Sequence, residues 1–99
     1  DIVGRLGLSV LVVVQNRLGA INHTLLTIEA LKKRKLKILG LLFNNAKECD
    51  KFILKDNPEI IKAITQERVF GMLPWVDNPD RLYNDFIPIG ERICRAIGI

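Results

Sequence analysis

An α/β fold, a parallel sheet with flanking helices in the order β-α-β-α-β-α, is what this sequence predicts. Three observations carry that reading. Two apolar runs, Leu8-Ser-Val-Leu-Val-Val-Val14 and Lys37-Ile-Leu-Gly-Leu-Leu-Phe43, lack the in–out alternation of a half-solvated strand. Strands buried on both faces of a parallel sheet read this way. Other segments repeat their apolar residues at three- and four-residue steps, and the two kinds of segment alternate along the chain. Right-handed crossovers turn such an alternation into a parallel sheet with helices on its faces.

Leu8–Val14 is the first strand, and Gln15–His23 follows it as a polar loop with one glycine. From about Ala20 to Lys35, the residues Ile21, Leu25, Ile28 and Leu31 form one stripe, the mark of a helix laid on a core. Lys37–Phe43 is the second strand, closed by Asn44-Asn45, and Ala46–Asp56 has no clear period. Asn57-Pro58-Glu59 reads as a helix start, because a first-turn proline gives up an N–H that has no helical partner there, and this helix runs to about Gln66. Arg68–Leu73 is a short third strand stopped by Pro74. Pro79–Asp85 is loop or a turn of helix, and Ile87–Ile97 is a closing helix with apolar Ile89, Ile93 and Ile97. A three-stranded parallel sheet this apolar leaves a greasy edge or face unless further strands cover it, from another segment or a partner.

Ninety-nine residues make one domain at most, residues 1–99. A chain of this size buries roughly 60–65% of its extended surface, so the quality of the core decides whether it folds alone. The 48% hydrophobic and 26% charged content are those of a globular protein. Much of the formal charge of +4 lies in Lys32-Lys33-Arg34-Lys35 and Lys37. This run reads as a solvated helix end, where cations complement the helix dipole. With no aromatic residues interleaved, it does not suggest nucleic acid. Cys49 and Cys94 follow no ligand spacing, and with a single histidine no metal site is expected. Unpaired thiols suggest a reduced, cytoplasmic compartment. The apolar stretch Leu6–Val14 is too short to span a bilayer and no charged leader precedes it, so no membrane role is expected. The first residue is Asp1 rather than methionine, which fits a fragment, a processed chain or a trimmed one.

In open α/β sheets ligands bind beyond the carboxyl ends of the strands. Three polar loops fall there, Gln15–His23, Asn44-Asn45 and Pro74–Asp80, all on one rim if the sheet is parallel. In the first, Gly19-Ala20-Ile21-Asn22 opens a helix, and its free N–H groups suit a carboxylate or phosphate. The plainer alternative is that Gly19 turns the chain and Asn22 or Thr24 satisfies the first turn. His23 reads as a packing or capping histidine. Asn44 and Asn45 each offer the donor and acceptor needed to read an adenine edge, or they are turn residues. Trp75 after Pro74 either walls a base pocket or packs in the core. Asp80 caps a helix or meets a ribose. No G-x-x-x-x-G-K-[ST] loop, G-x-G-x-x-G turn, carboxylate pair or Ser–His–Asp spacing occurs, so no catalytic residue is assigned.

Three segments together resemble the dethiobiotin synthetase family. They are Asn16-Arg-Leu-Gly-Ala-Ile-Asn-His-Thr-Leu-Leu-Thr-Ile-Glu-Ala-Leu31, Gly40-Leu-Leu-Phe-Asn-Asn45 and Gly71-Met-Leu-Pro-Trp-Val-Asp-Asn-Pro79. The likeness runs in order from about residue 5 to residue 80. It implies the C-terminal half of a P-loop NTPase-like, Rossmann-type fold. It also implies an ATP- and Mg2+-dependent cyclo-ligase that forms dethiobiotin from 7,8-diaminononanoate and CO2. ATP activates the carbamate as a mixed anhydride, with positioning and charge stabilisation carrying the chemistry. By position, Gly19, Ala20, Ile21 and Asn22 would bind the substrate carboxylate across a homodimer interface. Asn44 would face adenine and Pro74, Trp75 and Val76 would line its pocket, with Asn45 and Asp80 as further nucleotide contacts. The family's phosphate loop and magnesium ligands belong to an N-terminal half absent from these residues, with Asp1-Ile2-Val3 falling shortly after the family's Glu-Gly-x-Gly segment. Alone, the chain is therefore expected to be inactive and to need that half, joined or separate. The competing reading is a non-catalytic α/β module that binds a nucleotide or metabolite or docks on a partner.

Overall fold

The computed structural model describes residues 8–98. The expected placement of Asp1–Val3 lies outside them. Three strands, β1 (Ser9–Asn16), β2 (Lys37–Asn45) and β3 (Val69–Leu73), alternate with three helices, α1 (Ala20–Lys33), α2 (Lys51–Thr65) and α3 (Pro79–Ala96). The strands are parallel in the order β1-β2-β3, as the alternation predicted.

The sheet carries a core on each face. On one side Val12, Val14, Leu41 and Phe43 meet Ala20 and Ile28 of α1 and Ile61 of α2. On the other, Leu42 and Phe70 meet Ile89 of α3, with Leu39, Leu73, Ile93 and Ala96 packed around them. Among the described residues only β2 is covered on both faces, with Leu41, Leu42 and Phe43 all buried. β1 instead alternates: Val12 and Val14 are buried while Val13 is 57% exposed. The sequence reads β1 as doubly buried because it is β-branched throughout, yet among the described residues no element covers the α3 side of Val13. The uncovered apolar face expected of so small a sheet is thus found at β1. At the opposite edge, Arg92 of α3 donates from Nη1 to the Phe70 carbonyl at 2.8 Å, supplying an edge strand with a partner.

At Gly40 β2 runs close against β3. A Cβ there would lie 2.5 Å from Phe70 Cε2 and 2.8 Å from the Arg68 carbonyl oxygen, so only glycine fits without displacement. The parallel register slips between Leu41 and Leu42 on the β3 side and between Val10 and Leu11 on the β1 side, flanking this glycine.

Two helix starts differ from expectation. α2 begins at Lys51, where the Asp50 side chain caps by accepting from Phe52 N at 2.7 Å, so Pro58 lies inside the helix rather than at its first position. α3 begins at Pro79 behind Asn78, whose Oδ1 accepts from Asp80 N at 2.8 Å, which makes Pro79–Asp85 helical and leaves Pro88 in its interior. In both cases an Asx cap sets the start of the helix, and the interior proline is accommodated further along. The basic run closes α1 as expected: Lys32 and Lys33 occupy the last turn, and Lys33 pairs with Glu29 at 3.4 Å on the exposed face.

Candidate functional site

The carboxyl ends of the strands place the three candidate loops on one rim. Asn16 of β1 pairs in register with Asn45 of β2, and Asn44 pairs with Leu73 of β3, immediately before Pro74. Because side chains alternate along a strand, the neighbours Asn44 and Asn45 face opposite sides of the sheet. Asn45 lies on the side of Leu41 and Phe43, towards α2. Asn44 lies on the side of Leu42, towards α3.

The β1–α1 loop is built around Gly19, whose φ of 88° is left-handed and suits glycine. No side chain caps α1, so neither Asn22 nor Thr24 performs that task; Thr24 is buried and Asn22 exposed. Ala20 N donates to Arg17 O at 3.0 Å and His23 N to Gly19 O at 3.2 Å. Among the described residues the N–H groups of Ile21 and Asn22 have no acceptor, and they stand at the positive end of the helix dipole. Beside them a cleft of about 580 Å3 runs from Val13 and Gln15 past Arg17 and Gly19 to His23 and Thr27. His23 is exposed on this cleft, neither packed nor capping with its ring.

On the α3 side the Asn44 carboxamide is half-buried and has no hydrogen-bond partner among the described residues. Trp75 is 46% exposed, which excludes the core-packing alternative. Lys47, from the β2–α2 loop, sets its Nζ 4.8 Å from the centre of the Trp75 ring, so the two loops meet through a cation–π contact. Pro74 is exposed and Val76 half-buried beside it. Asp80 sits in the first turn of α3, where its charge complements the dipole, and Asn78 rather than Asp80 is the cap.

Sequence reasoning overlooked a knot of amides at the centre of the rim. Asn16 is fully buried. Its Nδ2 lies 2.8 Å from Asn45 Oδ1, 2.9 Å from the Leu54 carbonyl and 3.6 Å from Met72 Sδ. An amide has two hydrogens, so the two oxygen acceptors take them and the sulfur is a packing contact. Asn57, also buried, donates from Nδ2 to Asn16 Oδ1 at 3.1 Å and to Arg17 O at 2.9 Å. The interior proline explains one of these bonds. Pro58 has no N–H to give to the carbonyl four residues back, and that carbonyl belongs to Leu54. Asn16 fills the vacancy. A signal existed: an amide two residues beyond Val14, in step with Val12, continues the buried face of β1.

Among the described residues no group of three metal-binding side chains occurs, and both cysteines are free. No helix among them is long and apolar enough to cross a membrane.

Three loops from the carboxyl ends of parallel strands, one opening a helix with free N–H groups, define an α/β domain of the P-loop NTPase-like type. The chain belongs to the AAA domain family, whose model matches residues 1–81. Within that class it is dethiobiotin-synthetase-like. It is 36% identical over 85 residues to the ATP-dependent dethiobiotin synthetase BioD of Thermodesulfovibrio yellowstonii, covering 83% of this chain and 35% of that protein. Against the protein of the same name from Anaeromyxobacter sp. (strain K) it is 40% identical over 75 residues, 76% of this chain and 34% of the other. Against that of Endomicrobium trichonymphae it is 43% identical over 72 residues, 73% and 33% of the two chains. The chain spans about a third of the length of the curated relatives it matches.

Proposed function

We propose that these residues supply the adenine-binding and substrate-carboxylate loops of an ATP-dependent dethiobiotin synthetase. In that enzyme 7,8-diaminononanoate and CO2 close into the ureido ring at the expense of ATP. The observation that carries the reading is the meeting of the three loops on one rim, in a chain whose similar proteins bear that name.

On this reading the Asn44 carboxamide, free and half-buried, donates to and accepts from the adenine edge. Pro74, Trp75 and Val76 wall the base, and Lys47 must yield or share the Trp75 face when a base arrives. Asn45 has its oxygen held by Asn16, so its contribution to the nucleotide is limited to its Nδ2 and to fixing the strand tip. Asp80, at the mouth of α3, is placed for a ribose hydroxyl. The Ile21 and Asn22 N–H groups, with Gly19 and Ala20 shaping the turn, hold the substrate carboxylate. None of these groups attacks, protonates or leaves; they bind and orient, which is how such chemistry gains much of its rate.

A nucleotide base fits the residues present. We propose that the magnesium ligands and the phosphate loop lie in chain beyond these residues, joined to it or separate. We propose that the enzyme works as a homodimer in the cytoplasm and that this chain alone turns nothing over.

The test is calorimetric titration of ATP–magnesium and of 7,8-diaminononanoate into the chain, alone and together with the phosphate-binding half of a relative. Binding and phosphate release only in the mixture are expected, with Trp75→Ala weakening ATP about tenfold, the worth of one base–aromatic stack. Diaminononanoate-dependent phosphate release by the chain alone refutes its dependence on a second half. A folded chain that responds to neither ligand in either setting favours the non-catalytic module.

A further inference from the structure

We infer that Asn16 and Asn57 are positioning residues that latch the carboxylate loop to the nucleotide loop, so that a ligand ordering one sharpens the other. The inference rests on the roles proposed above for those loops; the latch itself stands on geometry. Asn57 grips the β1–α1 loop at Arg17 O, two residues before Gly19. Through Asn16 Oδ1 it also grips the end of β1. Asn16 in turn holds Asn45 at the tip of β2, and its own carbonyl accepts from Ala46 N at 3.1 Å. The β1–α1 loop is thereby tied to Asn57 and the β2 tip to Asn16, two buried side chains joined to each other by a hydrogen bond.

Two features indicate a built device rather than incidental packing. Apolar residues dominate this face of the sheet, and a carboxamide with no solvent access is costly there unless every bond is made. Asn16 also donates to the Leu54 carbonyl at 2.9 Å, which is open to it because Pro58 leaves that carbonyl without its helical donor. An alanine at 58 would restore that donor and compete with Asn16 for the same oxygen. The proline therefore directs Asn16, and Asn16 directs both loops. Since two ligands that stabilise one arrangement help each other reciprocally, the latch predicts positive coupling between ATP and the diamino acid.

The test uses Asn16→Leu and Pro58→Ala in the protein assembled with its phosphate-binding half. Pro58→Ala keeps a good helix former in α2, so it preserves the fold even where Asn16→Leu does not. Amide exchange is followed at Ala20 and Ala46, one in each loop, and at Leu41–Phe43 in the core. Both variants should speed exchange at Ala20 and Ala46 together, about tenfold for Pro58→Ala, the equivalent of one lost buried hydrogen bond, and more for Asn16→Leu, which removes three, and leave the core protected. The ratio of ATP Kd without and with saturating 7,8-diaminononanoate should exceed one in the unaltered protein and fall towards one in both variants. Faster exchange in one loop only, or equal loss in the core, overturns the latch. So does a ratio that the substitutions leave unchanged. If the unaltered protein binds neither ligand, the functional reading fails while the exchange result still decides the latch.

Discussion

Gly40→Ala tests whether the rim is set by how closely β2 approaches β3. The new methyl would stand 2.5 Å from Phe70 Cε2 and 2.8 Å from the Arg68 carbonyl oxygen. Carbon atoms rest about 3.5–4.0 Å apart, so the ring must retreat by about 1 Å. Phe70 is buried against Leu42 and Ile89 and has little room to do so. The Arg68 carbonyl cannot move freely either, because it accepts from Leu41 N at 2.7 Å. Overpacking of this kind costs about 1–3 kcal/mol. Losing a glycine stabilises by about 0.4–1 kcal/mol through the unfolded chain. The net is a loss of about 1–2 kcal/mol, or about 1 M in urea midpoint at an unchanged slope of about 1–2 kcal/mol per M. Phe70→Leu added to Gly40→Ala should restore part of that loss. The rest persists because the backbone clash remains, and a double-mutant cycle reads the coupling. A Gly40→Ala chain as stable as the original, or strictly additive effects, would refute the reasoning. The consequence reaches the site, because Asn44 and Asn45 end the same strand and a one-residue slip would exchange their faces.

Other outcomes follow from the same structure. Ile61→Ala empties a fully buried position between α2 and the sheet and should cost about 2–5 kcal/mol in urea unfolding. Asp50→Ala removes the α2 cap and should cost about 1 kcal/mol, with loss of helical ellipticity on warming. Glu29→Gln breaks an exposed pair with Lys33 and should leave the unfolding midpoint within error, even at low salt. Val13→Lys should reduce any self-association seen by sedimentation, since it charges the open face of β1. An unaltered chain that stays monomeric at high concentration would remove the premise of that last substitution.

The order of elements and the parallel sheet were legible because they follow from local rules: β-branched runs, helical stripes and a stop at Pro74. The three loops on one rim were legible too, as a consequence of topology alone. Where local rules conflicted, the sequence was a poorer guide. Pro58 reads as a helix start until Asp50 is seen capping eight residues earlier, and Pro79–Asp85 reads as loop or a turn of helix until Asn78 is seen closing the first turn of α3. Neither outcome depends on propensity; each depends on where a side chain can reach an unpaired N–H.

What leaves Asn44 free and Asn45 bound was not legible in local sequence rules. Both are asparagines at a strand tip, and only the side of the sheet each one faces separates a free carboxamide from one bound to Asn16. Of the amide knot only Asn16 was signalled, by the buried face of β1, because its partners Asn45, Leu54 and Asn57 lie 29 to 41 residues away. Hydrophobic period and turn chemistry are properties of neighbours in the chain, so the sequence by itself determined the fold class and the rim. Which polar groups meet, and which are left free for a ligand, depends on distances between elements, and only the tertiary structure decided that.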